Sequence, residues 1–71
     1  MSDSTLTKAG QIAIVKDRIS AVDAQIYAQV IENRVAERLK DDAMKKRVAE
    51  LMTKLETIRD EYCAVLKELE G

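Results

Sequence analysis

Residues 44–69 read MKKRVAELMTKLETIRDEYCAVLKEL, and the spacing of their apolar side chains decides the fold class. Met44, Val48, Leu51, Leu55, Ile58, Tyr62, Val65 and Leu69 recur at alternating intervals of four and three. That spacing is a heptad, with Val48, Leu55, Tyr62 and Leu69 at a and Met44, Leu51, Ile58 and Val65 at d. Met52 and Leu66 add apolar e positions. The stripe is therefore wider than a two-stranded seam and suits a helix facing the inside of a bundle. The pattern predicts a helix over about residues 42–70.

Upstream, Ile12, Val15, Ile19, Val22 and Ile26 keep a heptad frame of their own. Continued, that frame falls on Gln29, Asn33 and Ala36. The apolar side chains instead shift to Tyr27, Ile31, Val35 and Leu39, displaced round an ideal helix by more than about 100°. A first helix over about residues 5–38 follows, touching two neighbours or drifting round a bundle. Residues 1–4 form a polar lead-in, and Ser2, Asp3, Ser4 or Thr5 can each cap the first turn. Gly10 costs about 1 kcal/mol relative to alanine, so the helix frays there or starts after it. The run Gln11-Ile12-Ala13-Ile14-Val15 resembles a strand in isolation, but no second strand is present to pair with it.

The two heptad frames differ by one residue, and the seam between them would hold Asn33, Arg34, Glu37, Lys40 and Asp41. An apolar stripe broken by polar residues, with Asp41 and Asp42 as N-cap candidates, predicts a turn at about 39–42. The preferred reading is an all-α hairpin of two antiparallel amphipathic helices, a single domain over residues 5–71. The competing reading is one continuous helix, because Lys40-Asp41-Asp42-Ala43 is helix-compatible and lacks glycine and proline. The hairpin would be about 45 Å long and the rod about 100 Å. A lone hairpin leaves its wide stripe wet, so assembly into a dimeric four-helix bundle or coiled coil is expected.

Composition agrees with helix and narrows the chemistry. The chain has 71 residues, no proline, two glycines and two aromatic residues, Tyr27 and Tyr62. Chains this short usually need disulfides, a metal or a partner subunit, and a single cysteine with no histidine removes the first two. No cofactor is expected. A formal charge of −1 with interspersed signs argues against a general affinity for nucleic acid or acidic membrane. The longest stretch without a charged side chain, Ala24 to Ile31, is far short of a bilayer span. An acidic, polar start and one unpaired thiol make the cytoplasm the expected compartment.

Candidate chemistry is sparse. Without histidine, general-base work falls to a carboxylate, lysine or tyrosine, and charged residues on amphipathic helices are mostly the solvated face. No phosphate-binding loop or nucleophile–base pair is present, so no catalytic, cofactor or metal residue is assigned. Cys63 has Arg59 and Lys67 one turn to either side, but an inert thiol is the simpler reading. Arg34, Arg38, Lys45, Lys46 and Arg47 gather near the expected turn as a candidate anion- or nucleic-acid-binding end. Asp41 and Asp42 lie among them, and no aromatic side chain offers base stacking.

The stretch Val15-Lys16-Asp17-Arg18-Ile19-Ser20-Ala21-Val22-Asp23-Ala24-Gln25-Ile26 resembles the opening helix of the all-helical chorismate mutases. Ile19, Val22, Asp23, Ile26 and Val30 fall on that family's pattern. The resemblance covers less than a third of the chain and implies a degenerate relative. Lys16 and Asn33 stand where the family's two substrate-gripping arginines belong, and Arg34 is one residue out of place.

The reading that accommodates most of these features is a non-enzymatic protein-interaction module of adaptor, assembly-factor or inhibitor type. Its self-association core would be the two heptads, Ile12 to Ile26 and Met44 to Leu69. Tyr27, Ile31, Val35 and Leu39 would form a candidate surface for a protein partner. A nucleic-acid-associated regulator using the basic turn is the alternative, and no membrane partner is expected.

Overall fold

A computed structural model describes residues 6–71, which form two helices, α1 (Lys8–Leu39) and α2 (Asp42–Glu70). They pack against each other as a hairpin measuring 53 × 20 × 14 Å. The single rod is excluded, since the long dimension is about that of one helix. The candidate caps Ser2, Asp3, Ser4 and Thr5, and the lead-in at 1–4, lie outside the described residues.

α1 begins later than expected from about residue 5, and the cause is local. Thr7 has extended backbone and its hydroxyl accepts from the Gly10 N–H at 3.0 Å, which makes it the N-cap. Gln11 closes the same end by donating its side-chain amide to the Leu6 carbonyl at 3.1 Å. Gly10 therefore sits inside the first turn, where the cap satisfies its N–H, and the helix does not wait until after it.

The turn needs only Lys40 and Asp41 between the helices. Lys40 adopts the left-handed conformation, φ 55°, ψ 40°. That geometry lets Asp41 N–H reach the Ala36 carbonyl at 2.9 Å and Lys40 N–H reach Glu37 at 3.2 Å, a Schellman closure normally given to glycine. Asp41 then caps α2, its carboxylate accepting from Met44 N–H at 3.0 Å, and Asp42 places negative charge in the first turn. Left-handed backbone costs a side-chain-bearing residue about 1–2 kcal/mol. Lys40→Gly should therefore raise stability by about 0.5 kcal/mol after the glycine's extra unfolded-state freedom is deducted. Lys40→Val should lower it, and urea titration of both variants checks the sign.

The seam between the helices follows the first heptad frame along the whole of α1. Ile12, Val15, Ile19 and Ile26 are half-buried and Val22 is buried; the line then continues through half-buried Gln29 and Asn33 to Ala36, which is 0% exposed. It does not migrate to Tyr27 and Ile31. Rotating α1 to follow those side chains would break the register already set by the isoleucines. Gln29 and Asn33 are tolerated because they keep access to water, and no buried side-chain polar atom lacks a partner among the described residues. Ala36 sits next to the two-residue turn, where the chains converge and only a small side chain fits.

On α2 the seam uses a and e positions. Val48 and Leu55 are buried, while Met52, Arg59, Tyr62, Leu66 and Leu69 are half-buried. The d positions Leu51, Ile58 and Val65 are exposed, whereas Met44 is half-buried. One neighbouring helix cannot cover an a/d/e stripe, so part of it stays open.

Candidate protein-interaction surfaces

The heptad residues expected to form one core are thus divided by the structure. Most of them line the seam within a single chain, and Leu51, Ile58 and Val65 face outward at 41%, 44% and 42% exposure. Beside them a groove runs between the helices, lined by Ala28, Gln29 and Glu32 of α1 and by Met44, Arg47, Val48 and Leu51 of α2. It places the open d stripe of α2 on the same long face as the Ala28–Glu32 edge of α1.

The second set, Tyr27, Ile31, Val35 and Leu39, is exposed throughout, with Tyr27 and Leu39 both at 66%. These residues are spaced by four, so the line they trace winds slowly round α1. Tyr27 and Ile31 occupy the back of the helix, away from the seam. Val35 and Leu39 swing towards the face that carries Leu51. Among the described residues, nine large exposed hydrophobic side chains outnumber the four buried core residues, Val22, Ala36, Val48 and Leu55. For a hairpin this thin, that leaves a large share of the apolar side chains open.

The opposite long face carries polar chemistry. Asp23 and Arg59 form an ion pair across the seam. Asp23's hydrogen bond, followed by its charge, holds the Arg59 guanidinium above its ordinary pKa. A raised pKa contributes stability below the ordinary arginine value and loses it only as pH rises past the shifted one, so the guanidinium stays charged near neutrality. Both side chains are half exposed, so the pair adds little to stability. Heptad reading had not singled it out. The available signal was opposite charge at matched e positions, nearly equidistant from the turn.

The basic residues do not gather into one surface. Arg34, Arg38, Lys46 and Arg47 are exposed and Lys45 is half-buried. Arg47 lines the groove with Glu32, whereas Lys45 lies on the α2 edge that also carries Arg59, facing the other side. Asp41's carboxylate, engaged at the cap, adds negative charge at the centre of the group. Cys63 is a half-buried free thiol. Lys16 and Arg34 are exposed and Asn33 is in the seam, so the positions matched to the chorismate mutase helix do not converge.

Among the described residues, no three His, Cys, Asp or Glu side chains come together as a metal site. Neither helix is long and apolar enough to cross a membrane. No family model matches the chain, and neither the curated proteins nor the solved structures provide a match.

Proposed function

We propose that this protein is a non-enzymatic helical interaction module that self-associates into a four-helix bundle and holds a protein partner on the back of α1. The observation that carries the proposal is the pair of separate apolar surfaces left open by the hairpin, the Leu51–Ile58–Val65 stripe and the Tyr27–Ile31 ridge. Two surfaces suit two kinds of contact: one with a second copy and one with a different protein. The lack of histidine, and of a converging set of reactive side chains among the described residues, supports a binding role over a catalytic one. A single free cysteine supports a reducing compartment, the cytoplasm.

Sedimentation equilibrium should give twice the 8.0 kDa chain mass at tens of micromolar protein. Tyr27→Ser with Ile31→Ser should leave that mass unchanged. If the double variant sediments as a monomer, the ridge belongs to the self-association surface and the separate partner surface is wrong. The alternative of a nucleic-acid regulator has weaker support, because the basic side chains divide between two faces.

A further inference from the structure

The long face bearing Leu51, Ile58 and Val65 carries a matching pattern on α1. At the same interval of seven, α1 presents Ile14, Ala21, Ala28 and Val35, all exposed. The large side chains of α2 therefore lie beside a row whose middle members are alanines. Charges flank both rows. On α1, Glu32 lies towards the turn and Arg18 towards the open end; on α2, Arg47 and Lys54 lie towards the turn and Glu61 and Glu68 towards the open end. Among the described residues, none of these six makes a salt bridge. On the sides of the two rows that carry these six residues the charges form four quadrants whose signs alternate in both directions, while Asp17 and Arg38 flank the outer side of the α1 row with the opposite signs.

Building on the self-association proposed above, we infer that the occupant of this face is a second copy of the chain, related by a two-fold axis parallel to the helices. Both turns then lie at the same end, and α2 of each copy packs on α1 of the other. Such an axis preserves height along the bundle. The Asp23–Arg59 pair marks those heights, with Ile58 level with the middle of the Ala21–Ala28 interval. Ile58 of one copy enters the gap between Ala21 and Ala28 of the other. By the same register Leu51 falls between Ala28 and Val35, and Val65 between Ile14 and Ala21. At the centre of the face a large side chain meets two small ones, and towards each end Leu51 and Val65 each meet one alanine, as interdigitated packing requires. The charges agree: Arg18 lies between Glu61 and Glu68 of the second copy, and Glu32 lies next to its Arg47 and Lys54. The other face-to-face arrangement, α2 on α2 with turns at opposite ends, also pairs the charges. It sets Ile58 against Ile58 while leaving Ala21 against Ala28, which packs unevenly.

Cysteine cross-linking tests the register, because a disulfide requires Cα atoms within about 7 Å. Ala21→Cys and Ile58→Cys chains, each also Cys63→Ser and of distinguishable mass, are mixed, refolded and oxidised. The expected product joins one chain of each kind, while Ile58→Cys alone stays uncross-linked. Efficient self-linking of Ile58→Cys chains would overturn the arrangement in favour of α2 on α2. A dimer by sedimentation with no cross-link in either sample would place the contact on another face; both results leave self-association standing. A monomer at every concentration would remove both. Because cysteine at 58 removes a contact side chain, an exposed charge provides a second reading. Arg18→Glu should weaken dimerisation about tenfold at low salt, and adding Glu61→Lys to the same chain should recover most of the loss. No change with Arg18→Glu would count against the register.

Discussion

Leu55→Ala is expected to destabilise the hairpin by about 2–5 kcal/mol, because the truncation leaves a cavity as well as losing burial. Leu55 is 6% exposed and stands midway along α2, and among the described residues only Ala36 and Val48 are buried as fully. Thermal unfolding followed by circular dichroism should show the midpoint falling by about 4–8 °C for each kcal/mol lost. Wild type and variant must be compared at the same protein concentration, since association of folded chains raises the apparent midpoint. A shift of only a degree or two would mean that the intramolecular seam contributes little to stability.

Ala36→Leu should cost about 1–3 kcal/mol by the opposite route, overpacking. Ala36 is completely enclosed where the helices converge, and its carbonyl accepts the Asp41 N–H that closes the turn. A larger side chain would push α1 from α2 at the point where the connection has only two residues to yield. The strain should reach the Schellman closure, so local amide exchange at Lys40 and Asp41 should accelerate along with the global loss. Ala49→Leu, the same change at an exposed position of α2, is the control and should alter stability by no more than about 0.5 kcal/mol. Equal effects at the two positions would show that helix propensity, and not packing at Ala36, governs the response.

How much of this architecture was legible from residues alone varied with the physics behind each part. The periodicity of Met44 to Leu69 identifies a helix because burial on one side of a 3.6-residue repeat leaves that trace. Asp41 was legible as a cap because few side chains can accept from a first-turn N–H. The path of the seam along α1 was harder to see. Gln29 and Asn33 are polar, and pattern reading assigns polar residues to water, yet here they sit half-buried between isoleucines and Ala36. Which part of the wide α2 stripe meets α1 was equally hidden. That choice depends on the rotation of both helices, which the Asp23–Arg59 register constrains only after folding. The left-handed Lys40 had no sequence mark, since the residue that favours such a turn is glycine.

For the partner surface, residues alone named Tyr27, Ile31, Val35 and Leu39 as one set. Helical winding divides them: the first two stay on the back of α1, and the last two approach the face that carries Leu51. Variants at Tyr27 and at Val35 should therefore not be interpreted as probes of one surface.

The two-residue connection also shapes how the chain reaches this structure. Once Lys40 and Asp41 have closed the turn, every later pairing of α1 with α2 lies next to one already formed. No further long loop has to be closed, and each added layer of the seam costs only the ordering of its own residues. Folding can proceed as a zipper from Ala36 and Val48 outward, a route typical of helical topologies that form in microseconds to milliseconds. The same geometry makes the open end, which carries Ile12 and Leu69, the last to close and the first to separate.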